Sequence, residues 1–312
     1  MKYLIPGKTF LLGEYSALVG GSVLGLATGP GFLVDYRNTE ALVSDEISFS
    51  PQSPAGLLSK PTSSNGLAGQ IATEFAKFKL TLTDLFRNCG GFGKSTAEYL
   101  AVLIPWLQKN EASFESIREQ YQLISRQSGA EASGLDLAIQ FWGKVTLFDS
   151  HENKYSSLDW KMKGYDFILV STGTKLKTHE HIQTIDLKKI SHFPSVSNPL
   201  VELYQTHPGS EFIRGIKEWS AFLKASHFMS DSAFELKELI ESDPNVLCAK
   251  PCGAMGADVI AVLCETEKSE LVQNKLRNLN IKIQSTSAEL LPGVNLHVTE
   301  SVAKVRKQHH VG

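Results

Sequence analysis

The sequence predicts a two-domain chain that mixes helices and strands, with a compact α+β unit as its second half. Three observations carry this. The chain has 312 residues, 42% of them hydrophobic, which supports a sizeable core and favours two domains over one. A strongly apolar run of β formers, Asp166-Phe167-Ile168-Leu169-Val170-Ser171, follows a charged, polar stretch and divides the chain into residues 1–164 and 165–312. Beyond it come two strand-like runs, a helix-like run and a further strand-like run, the makeup of a small α+β domain.

Taken in order, residues 2–5 and 9–12 read as strand material around a Pro6-Gly7 turn, with a second apolar run at 21–27 and a β-rich one at 32–36. Ser, Pro and Gly over 50–66 predict a loop. Helical spacing recurs over 67–78, 95–108, 114–127 and 134–142, and Val145-Thr146-Leu147-Phe148 reads as a strand. After the boundary strand, Pro194, Pro199 and Pro208 punctuate what reads as loop, before a long helical region over 210–241. Strands at 246–250 and 258–263 flank a glycine loop, and a helix at 267–279 and a strand at 281–286 follow. There is no internal repeat of solenoid period.

Composition excludes several classes. A net charge of −2 leaves no nucleic-acid footprint, and the basic run Lys304–Lys307 reads as a solvated end, with His309 and His310 as tail. No apolar run reaches membrane-spanning length. Lys8 and Glu14 interrupt the N-terminal apolar stretch, which is unlike a signal peptide. Cys89, Cys248, Cys252 and Cys264 lack zinc-type spacing and read as reduced thiols of a cytoplasmic protein, monomeric or homodimeric.

The most informative stretch is Asn88-Cys89-Gly90-Gly91-Phe92-Gly93-Lys94-Ser95-Thr96-Ala97. Glycines let backbone N–H groups approach a ligand closely, and a helix starting there turns its free N–H groups and positive dipole end toward the same point. Phosphate is the natural guest. Three readings stand at this point. Gly93-Lys94-Ser95 matches the end of a P-loop, although Asn88 stands where the first glycine belongs and residues 81–87 are not a buried apolar strand. A different phosphate loop is the second reading. The third is an ordinary glycine turn with Ser95 or Thr96 as helix N-cap.

Three further segments decide among these. Pro6-Gly7-Lys8-Thr9 leads through an apolar run to Gly13-Glu14-Tyr15-Ser16-Ala17-Leu18. Gly129-Ala130-Glu131-Ala132-Ser133-Gly134-Leu135-Asp136 brings a carboxylate to the start of an apolar helix. Lys250-Pro251-Cys252-Gly253-Ala254-Met255-Gly256-Ala257-Asp258 is a second glycine loop between strands. With the stretch at 90–97, these four segments resemble the GHMP kinase superfamily in kind and in order, over most of the chain. The Gly-Glu-Tyr-x-x-Leu form and the Lys250–Asp258 segment are most similar to its phosphomevalonate kinase branch.

The resemblance implies an N-terminal α/β domain of the ribosomal S5 domain 2 type that binds ATP, a C-terminal ferredoxin-like domain, and a cleft between them. It implies an ATP- and Mg²⁺-dependent kinase of the mevalonate pathway with a small-molecule acceptor, phosphomevalonate first and mevalonate second. Gly90, Gly91, Gly93, Lys94, Ser95 and Thr96 would hold the ATP phosphates, together with Gly253, Ala254 and Gly256. Ser95 would ligate Mg²⁺. Asp136 would be the general base and Lys8 its neighbour. Glu14, Tyr15, Ser133 and Gly134 would face the acceptor. Lys175, Lys177, His179 and His181 follow the boundary strand, where family substrates lie, and would suit a phosphorylated acceptor; a solvated polar loop is the plainer reading of each.

The chain departs from the family pattern at Lys94, which replaces a serine, at Met255 and Ala257, which replace glycines, and at Cys252, which replaces a serine. Lys94, Met255 and Ala257 motivate a rival reading as a ligand-binding protein of the same fold without turnover. Glu98 is an unusual carboxylate close behind the loop.

Overall fold

The structure, a computed structural model, describes residues 1–38, 47–60, 66–87, 89–127, 132–173 and 185–294. Lys175, Lys177, His179, His181, Gly129–Glu131, Asn88 and the C-terminal basic run lie outside the described residues.

The first sheet is built on two long antiparallel strands, β1 (Lys2–Leu12) and β2 (Val23–Asn38). From Ile5 onward every residue of β1 is buried, so this strand is covered on both faces. The Pro6-Gly7 turn expected from sequence is instead a register shift inside a continuous strand, between Ile5 and Gly7. Pro6 has no N–H to lose, which suits it to such an irregularity. The runs at 21–27 and 32–36 likewise belong to one strand.

Two more strands lie along β2. β3 (Phe78–Asp84) pairs with its C-terminal half and β4 (Val145–Asp149) with its N-terminal half, and β5 (Lys154–Leu158) adds to β4. All these pairings are antiparallel. Strands β3 and β5 escaped the sequence reading because both are only partly buried, so neither shows clear alternation. The predicted loop at 50–66 contains a short helix, α1 (Pro54–Leu58), with Ser53 Oγ accepting from Gly56 N at 3.1 Å and a proline in its first turn.

Helices α2 (Leu67–Phe75), α3 (Lys94–Leu107), α4 (Phe114–Gln127) and α5 (Leu135–Trp142) occupy the stretches predicted as helical. Both α3 and α5 pack on β1 and β2.

The second sheet contains β6 (Tyr165–Ser171), β7 (Val246–Cys252), β8 (Val259–Glu265) and β9 (Ile283–Thr286), in the order β7-β8-β6-β9 with antiparallel neighbours. Helices α6 (Phe193–Thr206), α7 (Ser210–Ala225) and α8 (Asp231–Glu241) precede β7, and α9 (Ser269–Asn278) joins β8 to β9. This is the ferredoxin-like arrangement. Helix α6 corrects the loop expected around Pro194 and Pro199. Pro194 falls in its first turn, where no N–H partner is needed, and a buried face that includes Phe193, Leu200 and Tyr204 carries the helix past Pro199.

Alternation along β6 divides two cores. Phe167 and Leu169 join the large core shared with the first sheet, while Ile168 and Val170 join a smaller one that includes Ile240, Val272 and Leu276. The large core runs from Ile5 to Val294. Beyond β9 the chain returns to the first sheet, where Leu291 N donates to Ala27 O at 2.9 Å and Leu291 O accepts from Lys144 N at 2.7 Å.

Candidate active site

Gly7 lies in β1 at the foot of the site. A Cβ there would lie 2.5 Å from Phe86, so only glycine lets this ring pack on the strand. The Phe86 ring stacks on Phe92 at 4.0 Å with 4° between planes, which seats the glycine loop on β1. Phe92 O then accepts from Lys8 N at 3.0 Å. The Lys8 side chain runs beneath Gly93, whose Cβ, if present, would fall 2.6 Å from Lys8 Cγ. Its ammonium ends 3.1 Å from Asp136 Oδ2. Lys8 is 7% exposed, whereas the Asp136 side chain is 33% exposed. The pair is therefore roofed on the lysine side and open on the carboxylate side.

Asp136 stands in the first turn of α5, whose N-cap is Gly134; a carboxylate is favoured there by the helix dipole. The preceding residues are held by α4. Ser133 O accepts from Arg118 Nε and Gln122 Nε2, each at 3.0 Å, and Ser133 Oγ accepts from Leu135 N at 3.2 Å. Tyr121, also on α4, bonds Thr96 and Ser125 and lies within electrostatic reach of Asp136. Burial foremost, then the Asp136 charge, pushes its hydroxyl up to about 12, so it stays neutral.

The glycine loop ends in α3. Gly93 is its N-cap at φ 77°, and no side chain caps the helix. Ser95 and Thr96 therefore do not cap, contrary to the turn reading: Ser95 is exposed and Thr96 is buried beside Tyr121. The P-loop reading also lacks its setting, because β3 is antiparallel to its neighbour β2. Lys94 Nζ lies 3.8 Å from Asp84 Oδ2. Burial raises the Glu98 carboxyl above its usual range, with Lys94 opposing and Asp84 reinforcing the shift.

The second glycine loop meets the first. At Gly91 a Cβ would sit 2.7 Å from Asp258 Cβ and 2.8 Å from Val259 Cγ2. Met255 adopts φ 53°, the left-handed region where glycine is at ease; Ala257, at φ −83°, needs no glycine. Tyr15 OH accepts from Met255 N at 2.8 Å, and Met255 O accepts from Ser230 N at 2.9 Å. Glu14 turns inward: one carboxylate oxygen pairs with Lys250 and the other accepts from Trp219 Nε1 at 2.8 Å. Cys252 is buried, and its thiol donates to Lys250 O at 3.2 Å.

The fold thus brings together Lys8, Asp136 and Gly93, and places Gly91 against the loop bearing Gly253, Ala254 and Gly256. Among the described residues no group of three or more His, Cys, Asp or Glu could hold a metal, the four cysteines are free, and no helix is long and apolar enough to cross a membrane. The sequence reading missed Arg118, Tyr121, Gln140 and Asp84. Gln140 had a signal, since it follows Asp136 by one helical turn; the others reach the site only through packing.

This arrangement defines the GHMP kinase fold. Streptococcus pneumoniae phosphomevalonate kinase, solved in complex with phosphomevalonate and AMPPNP, matches with TM-score 0.70 and 16% identity over 93% of this chain and 100% of that one. Methanococcus jannaschii mevalonate kinase matches with TM-score 0.66 and 14% identity over 93% and 98%. Lactococcus lactis galactokinase, complexed with galactose, matches with TM-score 0.63 and 16% identity over 93% and 94%. No sequence-family model matches the chain, and no curated protein sequence matches it significantly.

Proposed function

We propose that the protein is an ATP-dependent small-molecule kinase that transfers a phosphoryl group to phosphomevalonate, in the cytoplasm. The observation that carries this reading is the 3.1 Å contact of Lys8 with Asp136 directly beneath the Gly93 turn. Asp136 accepts the proton of the attacking acceptor oxygen. That oxygen bonds to the terminal phosphorus of ATP as the bond to the bridging oxygen breaks and ADP leaves. The Lys8 ammonium offsets charge on the attacking oxygen. Backbone N–H groups at the start of α3 and in the glycine loop hold the phosphates.

The donor set suits a Mg²⁺ ion that arrives with ATP. Such an ion keeps phosphate and water ligands, and the exposed Ser95 hydroxyl would be its ligand from the protein, as a loop Ser or Thr is in other phosphate loops. When bound, it neutralises charge on the phosphates.

The deciding experiment is ADP release on phosphomevalonate, mevalonate and galactose. Turnover on phosphomevalonate, reduced about 10²–10⁴-fold by Asp136→Ala, is the expected result. Turnover on mevalonate instead would move the acceptor to mevalonate kinase chemistry, and turnover on neither would overturn the substrate assignment. ATP binding without transfer, indifferent to Asp136→Ala, would favour the binding-protein reading that Lys94 and Met255 motivate.

A further inference from the structure

Gln140 is wholly buried and stands one helical turn after Asp136 on α5, so the two side chains share a helix face. Gln140 Nε2 donates to Pro6 O at 2.8 Å and to Gly93 O at 3.2 Å. Pro6 lies two residues before Lys8, at the register shift in β1. Gly93 is the N-cap of α3 and the residue that roofs Lys8. One amide group therefore joins the three segments that carry the ammonium, the phosphate turn and the carboxylate.

The orientation of this amide is not arbitrary. Turning it over would face an oxygen toward two carbonyl oxygens, whereas the –NH₂ group has two protons for the two acceptors. Gly93 O is shared, since it also accepts from Ala97 N at 2.9 Å in the first turn of α3. Loss of Gln140 would leave the helical bond and remove the tie to α5. Pro6 O would lose its side-chain donor in a buried place, which costs more than an ordinary hydrogen bond.

We propose that Gln140 is a positioning residue that sets the spacing between the phosphate turn and the Lys8–Asp136 pair. It touches neither nucleotide nor acceptor. It acts by holding Gly93 and the Lys8 strand to the helix that carries Asp136. This deepens the kinase reading and rests on it. A displacement of about 1 Å at a transferring group costs on the order of 10²-fold in rate, so a lost tie reads out in turnover before it reads out in binding.

The test uses the full chain with Gln140→Met, which keeps the length and removes both donors, and Gln140→Glu, which keeps the shape and replaces the donor group. Turnover with ATP and phosphomevalonate is measured beside amide hydrogen exchange. For both variants kcat is expected to fall about 10–100-fold, with the KM for ATP changed less than about threefold. Exchange is expected to quicken at Lys8 and Ala97, whose N–H groups bond Phe92 O and Gly93 O, and to stay unchanged in β6–β9. Wild-type kcat in either variant, unchanged exchange at Lys8 and Ala97, or a uniform loss of protection across the chain with a matching loss of Tm would overturn the proposal; the last would assign Gln140 to general stability. The exchange measurement needs no substrate. Inactive wild type with the local exchange signature would therefore condemn the kinase reading and leave the three-way tie standing.

Discussion

Glu14 and Lys250 form a buried ion pair between the segment that leaves the first sheet and a strand of the second. Lys250 has no solvent exposure, and the Glu14 side chain is 6% exposed. Burial works against the Lys250 charge, but the Glu14 carboxylate paired with it helps hold the ammonium above its usual range. The ammonium also donates to Phe10 O at 3.4 Å. The acid of the Gly-Glu-Tyr motif is thus engaged with the protein itself.

Removing one member of such a pair leaves a buried charge alone. Lys250→Met is expected to cost about 3–5 kcal/mol of unfolding free energy, and Glu14→Gln combined with Lys250→Met distinctly less than the sum of the two single changes. Urea unfolding measures both. A single-variant cost under about 1 kcal/mol would mean that the pair contributes little.

Met255 is the non-glycine residue of the second glycine loop that sits in the left-handed region. Met255→Gly is expected to leave stability unchanged or raise it, because the backbone there suits glycine. Met255→Val is expected to lose about 1–2 kcal/mol, since a β-branched side chain tolerates that conformation worst. Equal stability of the two variants would show that the loop relaxes freely.

Lys94 leans toward Asp84 at 3.8 Å with its own side chain 44% exposed. The contact is exposed on the lysine side and buried on the aspartate side, and an ATP phosphate beside the turn would draw the ammonium toward it. Lys94→Ala is expected to raise the KM for ATP about fivefold with kcat nearly intact. Abolished turnover would instead assign Lys94 the role of a P-loop lysine.

Glu98 gives a pH signature. Burial raises its carboxyl in the folded protein, more than Lys94 lowers it. The folded state therefore holds the proton more tightly than the unfolded chain. Its contribution to stability is greatest below the ordinary carboxylate value and is lost as pH rises through the raised one. Glu98→Gln is expected to be more stable than wild type at neutral pH, with the advantage gone below about pH 4. Denaturant titrations at both pH values check this, and an advantage independent of pH would rule out titration of Glu98 as the cause.

Much of this protein is legible in local sequence because the relevant demands are local. Gly93 must take a left-handed backbone at a helix start, Asp136 must open a helix, and β6 must alternate between two cores; each leaves its mark within a few residues. Strands β3 and β5 and helix α6 left no such mark, because partial burial blurs alternation and prolines imitate loops. What tertiary structure alone decided is convergence. No spacing announces that Phe86 and Phe92 stack over Gly7, that Gln140 ties Pro6 to Gly93, or that Glu14 finds Lys250 rather than solvent. Backbone preference acts within a turn or a strand. Which side chains meet across the chain depends on how entire layers pack, and that is a property of the folded core.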